Sequence, residues 1–141
     1  MPTNGFQETI ESISVKDPRY NADAYVFLRD SLEGAIKRRK KARKETGPHV
    51  GAEELLEGFR LHALEEFGPM ALMVLGYWGV HTTADVGNLV FNLVDAGVFG
   101  KTEEDTVESF RDVFDFHEAF VEPFRPEEPS GGSSATLQIG A

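Results

Sequence analysis

The sequence predicts an all-α fold: a single compact bundle of five to six helices, with a helix-turn-helix-like pair over about 69–78 and 83–96. Three observations carry this. Apolar residues recur at i, i+3 and i+4 along most of the chain. Gly-Pro and Gly-bounded joints separate the periodic stretches. Thr-x-x-Asp occurs twice ahead of such a stretch, the spacing of a helix capping box with Asp in place of Glu.

Phe6, Ile10 and Ile13 place a first amphipathic helix over 3–15. Pro18 disfavours helix at Asp17, so the chain turns there. Asn21 is a good N-cap for the second helix. Tyr20 and Tyr25 then fall at N′ and N4, where a hydrophobic staple packs. Tyr25, Leu28, Leu32 and Ile36 are its expected buried stripe. The basic run "KRRKKARK" continues that helix, since Lys and Arg form helices well and suit the negative end of the helix dipole. "TGPH" ends it. Gly51 caps a third helix, with Val50 and Leu55 as its staple and Leu55, Leu56, Phe59, Ala63, Leu64 and Phe67 as its buried face.

"FGPM" is a helix–helix joint, with Gly68 past one helix end and Pro69 in the first turn of the next. "MALMVLGYW" is apolar almost all round, which places it at the bundle centre. "WGVHTTAD" is a second joint, capped by Thr82 with Asp85. The helix that follows buries Val86, Leu89, Val90, Leu93 and Val94, and Gly97 ends it. Thr102 with Asp105 repeats the cap. Phe110 and Phe114 share one stripe, and Phe116, Phe120 and Phe124 share another, offset by two residues. One straight helix cannot carry both, so Asp115 ends one helix and caps a short last one, with Glu118 at N3 and Pro123 beyond. Residues 1–125 form the helical domain, and 126–141 are a disordered Gly/Ser/Pro-rich tail.

The 141 residues suit one domain. The absence of cysteine excludes disulfides, thiolate metal sites and cysteine nucleophiles. "MPTNGFQETI" has neither the basic nor the apolar region of a secretory signal, and no apolar run reaches the roughly 18 residues needed to span a bilayer. A cytoplasmic protein that engages no membrane is the expectation.

Charge is unevenly placed. The net charge is −10, yet Lys37, Arg38, Arg39, Lys40, Lys41, Arg43 and Lys44 hold half of the 14 basic residues. Residues 101–128 hold ten acids and three bases. Such asymmetry points to an interaction. On a helix the seven cations spread around the axis, and about four share one surface. No aromatic interleaves them, so base stacking within the run is unavailable. Three readings stand: contact with RNA or ribonucleoprotein phosphates, contact with an acidic protein partner, or no such role, the run being a solvated helix end or pairing with the acids of 101–128 or of a neighbour.

Catalytic signatures are missing. No two of His49, His62, His81 and His117 stand at i, i+3 or i, i+4, and there is no Glu-x-x-His, so no metal site is predicted. His62 and Glu66 share a helix face, but two ligands do not make a site. His49 and His81 are expected in joints, bonded to backbone carbonyls. No nucleophile elbow and no phosphate-binding loop occur, and no cofactor is implied. In the pair at 69–96, the second helix would expose Thr83, Asp85, Asn88, Asn92 and Asp95. None is basic, which argues against it as a DNA reader. The enzymatic alternative is a polar cleft around Asp17, Arg19, His49, Glu57 and Arg60.

"DPRYNADAYVFL", "ELLEGFRLHALEEFGPMALMVLGYWGV", "VFNLVDAGVFGKTEEDTVESF" and "DFHEAF", taken in order over 6–121, resemble a small family of bacterial proteins known mostly from planctomycete and verrucomicrobial genomes. The resemblance implies a compact cytoplasmic helical domain and no particular activity. The sequence as a whole reads as a non-enzymatic interaction protein, RNA-associated through a basic helix end.

Overall fold

The computed structural model describes residues 2–41, 50–100 and 106–126. Six α-helices occur among them: α1 (Pro2–Lys16), α2 (Ala22–Lys41), α3 (Ala52–Phe67), α4 (Ala71–Tyr77), α5 (Thr83–Asp95) and α6 (Phe116–Phe120). Short 3-10 turns at Gly68–Met70, Val107–Phe110 and Glu122–Phe124 join or flank them. No strand occurs among the described residues. The all-α fold is as expected. Arg43, Lys44, His49, "TGPH", the Thr102/Asp105 cap and the tail from 127 lie outside the described residues.

The local signals behave as their chemistry requires. Asn21 caps α2, its side chain accepting from the Asp23 N–H (2.8 Å). Both staple tyrosines, Tyr20 and Tyr25, are buried. Gly68 takes φ +53° and its N–H closes onto the Leu64 carbonyl, so the chain leaves α3 into a 3-10 turn before α4. Thr82 and Asp85 form a reciprocal capping box on α5. Asp115 caps α6 by accepting from the Glu118 N–H (3.1 Å).

One core runs through the bundle. α2 packs most extensively on α3, and α5 rests on both α2 and α3. Leu28, Leu56, Phe59, Leu75, Leu89, Leu93 and Phe120 are fully buried within it. Trp78 is half-buried and closes one end, its ring 5.5 Å from Phe27 and 5.7 Å from Phe67.

Four expectations need correction. The α2 stripe does not stay on Leu28, Leu32 and Ile36. Leu32 and Ile36 are only half-buried, and Phe27, Ser31, Ala35 and Arg39, each four residues apart, are buried instead. α4 does not occupy the bundle centre. It buries Ala71 and Leu75 against α3 and α6, and leaves Met70, Met73 and Tyr77 in solvent. Residues 106–114 are not helical beyond one 3-10 turn. Thr106 and Ser109 form a capping box on that turn, then the chain extends at Arg111 and turns at Asp112 with φ +53°. Phe110 sits there against Gly87 of α5, where a Cβ would come within 2.6 Å of the Phe110 Cβ. Finally, of the polar stripe of α5 only Asp95 is exposed as expected: Thr83 is buried, and Asp85, Asn88 and Asn92 are half-buried facing the joint between α1 and α2.

Candidate functional site

The basic end of α2 is built on an anchored arginine. Continuing the Phe27–Ser31–Ala35 stripe by one turn brings position 39 inward, against α3. An arginine there must be paired, because a buried charge without a partner is costly. Glu54 supplies the partner: Arg39 Nε and Nη2 donate to its carboxylate at 3.1 and 2.6 Å. Arg39 is thereby removed from the set of cations that face solvent.

Its neighbours remain outside. Lys37, Arg38, Lys40 and Lys41 are exposed, and none of them forms an ion pair among the described residues. Arg38 lies across the seam to α3. Its guanidinium rests on Gly34 and Gly58, and a Cβ on Gly58 would meet Nη2 at 2.8 Å. Arg38, Arg39 and Lys41 share a shallow depression with Glu54, Glu57 and Gly58. Glu57 is held by Arg60 one turn along α3, which donates from Nε at 3.0 Å. That pairing lowers the Glu57 carboxyl below its ordinary pKa, with Arg38 contributing from across the seam. The end of α2 is therefore a cationic prong whose base carries matched charges. The described acids of 106–126 do not neutralise it; their ion pairs go to Arg111, His117 and Arg125.

The polar cleft expected around Asp17, Arg19, His49, Glu57 and Arg60 divides. Asp17 lines a depression with Glu8, Ser12, Lys16, Asn92 and Asp95, whereas Glu57 lines the one beside the basic end. Each acid is paired with its own arginine, and no ion pair joins the two sets among the described residues. His49 lies outside the described residues.

Asp17 and Arg19 belong to a network that the sequence did not reveal. Arg19 Nε and Nη2 donate to Asp17 at 2.8 and 2.7 Å, and Asn92 Nδ2 donates to Asp17 at 2.9 Å and to the Tyr25 hydroxyl at 3.0 Å. One turn earlier on α5, the Tyr20 hydroxyl donates to Asp85 (2.6 Å) and accepts from Asn88 (2.9 Å). The Arg19 guanidinium holds the Asp17 carboxyl well below the usual carboxylate range, with Asn92 helping. Burial, reinforced by Asp85, pushes the Tyr20 phenol up to about 12. Each of these side chains has a partner in the seam, and the arrangement fastens the α1–α2 joint to α5. The Asn21 N–H also donates to the Trp78 carbonyl (3.0 Å). Gly79, at φ +90°, passes so close to the Arg19 carbonyl that a side chain there would collide with it.

His62 is likewise held by its neighbours. His62 stacks on Phe27 (4.0 Å between centroids, 1° between planes). Ser31 gives its proton to the Phe27 carbonyl (2.9 Å), so the His62 Nδ1–H donates to Ser31 Oγ (2.8 Å). Glu66 stands 3.8 Å from Nε2. At His81 the backbone N–H is bonded, to Asp85 (2.9 Å), rather than the ring. Among the described residues no group of three metal-ligating side chains converges, and no helix is long and apolar enough to cross a membrane. No family model matches the chain, nor does any curated protein or solved structure.

Proposed function

We propose that the protein acts by interaction, contacting an RNA backbone weakly and without sequence preference through the end of α2. The observation that supports this most directly is the contrast between Arg39 and its neighbours. Arg39 is buried on Glu54, while Lys37, Arg38, Lys40 and Lys41 are exposed with no ion pair among the described residues. A prong of fixed direction and unneutralised charge is suited to phosphate contacts, which dominate nonspecific affinity for nucleic acids. Nothing in the reading calls for base recognition. The run has no aromatic on which a base would stack, and the polar face of α5 is occupied by the Tyr20 and Asp17 networks.

The test is filter retention of single-stranded RNA at about 50 mM salt, the low end of the range where such contacts are strong. Wild type should retain RNA. The variant carrying Lys37→Gln, Arg38→Gln, Lys40→Gln and Lys41→Gln should not, and should melt within a few degrees of wild type, because exposed charges contribute only about 0–1 kcal/mol each. Equal retention by the two proteins would end the reading. A variant that melts much lower, beside a wild type that retains no RNA, would show that the run docks on the protein itself.

A further inference from the structure

The outer face of α4 is the least explained surface of the molecule. Met70, Met73 and Tyr77 are 49%, 66% and 80% exposed. Met70, the last residue of the 3-10 turn, and Met73 and Tyr77 of α4 stand at i, i+3 and i+7, the spacing of one stripe along a helix. Val15 and Phe124, at opposite ends of the described chain, are exposed without such a pattern in sequence, which is ordinary for a protein surface. A contiguous stripe of two methionines and a tyrosine is different. Thioethers adapt to varied partners, and tyrosine is enriched where interfaces hold most of their energy. A helix that is apolar nearly all round but buries only Ala71 and Leu75 has a second apolar face to cover.

The charge around the stripe indicates what covers it. Residues 61–100 contain neither Lys nor Arg, and their charges are Glu65, Glu66, Asp85 and Asp95. On the flank of α4, about 100° around the helix from Met73, Leu72 shares a depression with His81, His117, Asp112, Asp115 and Glu118. These three carboxylates are exposed and form no ion pair among the described residues. Two copies docked face to face through this stripe would bring the same acids against themselves. An anionic lipid surface would be repelled for the same reason.

We infer that the Met70–Met73–Tyr77 face docks an amphipathic cationic helix of another protein. The apolar side of that helix lies on the stripe, and its Lys or Arg side chains reach toward Asp112, Asp115 and Glu118. The stripe covers seven residues of rise, about 10 Å, so two to three turns of partner helix suffice. The site is separate from the basic end of α2, and the inference does not rest on RNA binding there.

The probe is a labelled Leu/Lys amphipathic helical peptide of about 14 residues, roughly 21 Å long, titrated with the full chain by fluorescence anisotropy. Wild type should bind it. Replacing Met73→Ser and Tyr77→Ser, which alters no charge, should weaken binding about tenfold or more, with the melting temperature kept. A Leu/Glu peptide, and a scrambled peptide of the same composition as the Leu/Lys one, should bind at least tenfold more weakly. Equal binding of the scrambled peptide, or of the Leu/Lys peptide to the double variant, would reduce the effect to bulk attraction for an acidic protein and overturn the proposal. So would sedimentation showing a wild-type dimer that the double substitution dissolves, which would make a second copy the occupant. Flotation with mixed phosphatidylcholine and phosphatidylglycerol vesicles, lost in the double variant, would assign the face to lipid instead.

Discussion

Asp17 and Tyr20 show how a single residue couples the fold to pH, and they do so at opposite ends of the scale. Asp17 accepts from Arg19 and Asn92, so its folded pKa lies below its unfolded value of about 3.9. The stability from that pairing is present above the unfolded value and is lost as pH falls through it and below. Tyr20 is displaced the other way, from an unfolded pKa of about 10 up to about 12, because burial and Asp85 both disfavour its phenolate. Its contribution is complete below pH 10 and is lost as pH rises toward 12. Melting temperatures measured across both limbs should separate the two. Asp17→Asn should flatten the acid limb and leave the alkaline one, and Tyr20→Phe should do the reverse. The flattening by Tyr20→Phe is partial, since burial also raises Tyr25. None of this was legible in the sequence. Asp17 and Asn92 are 75 positions apart, and no local pattern ties a turn carboxylate to an amide on a distant helix.

At the scale of elements, caps and breaks were legible because they are local. Asn21, Thr82 and Asp115 each satisfy backbone N–H groups within three residues, and each was identifiable from residue type and spacing alone. The offset between Phe110/Phe114 and Phe116/Phe120 placed the start of α6 at Asp115 correctly, but no helix ends there. It did not show that the earlier half is irregular, because aromatic spacing over so few residues suits a 3-10 turn and a loop as well as a helix. What shapes that segment is the seat of Phe110 on Gly87 of α5, a fit between two elements. Gly87→Ala tests it. The new methyl would overlap Phe110 at its Cβ and Cγ, 2.6 and 2.8 Å away, and the ring root is not a flexible chain end that can swing aside. Although alanine favours helix by about 1 kcal/mol over glycine, overpacking costs about 1–3 kcal/mol. Denaturant unfolding should therefore show a net loss of up to about 2 kcal/mol, and a gain in stability would mean that Phe110 is free to move away. α4 was misplaced for a related reason. Composition records that a helix is apolar all round but not whether both faces are covered within the chain.

For the whole molecule, the distribution of charge sets the strength and kind of interaction that the fold can support. Composition alone showed an acidic body with one basic run, and that asymmetry persists in three dimensions. The sequence did not show that one of the seven cations would turn inward, although the i+4 spacing of Phe27, Ser31, Ala35 and Arg39 carried the signal. The burial of Arg39 changes the expected behaviour toward RNA. If all seven residues contacted phosphates of a single strand, the logarithm of the binding constant would fall with the logarithm of salt at a slope of about −5, taking about −0.7 per contact. With Arg39 committed to Glu54 the run keeps six cations, a slope of about −4, and with contacts limited to Lys37, Arg38, Lys40 and Lys41 of the described residues the slope should be about −3. Measured between about 50 and 200 mM salt, that slope implies a loss of binding of roughly 50-fold. The acidic remainder of the chain adds repulsion, which limits affinity at low salt without adding a contact. A slope steeper than about −5 would require cations beyond the end of α2. A slope near zero would mean that whatever the protein retains is not held by its phosphates. Adding a cation beside the run gives the complementary check: Glu33→Lys, one turn before Lys37 on α2 and exposed, should steepen the slope by up to about one contact, roughly −0.7.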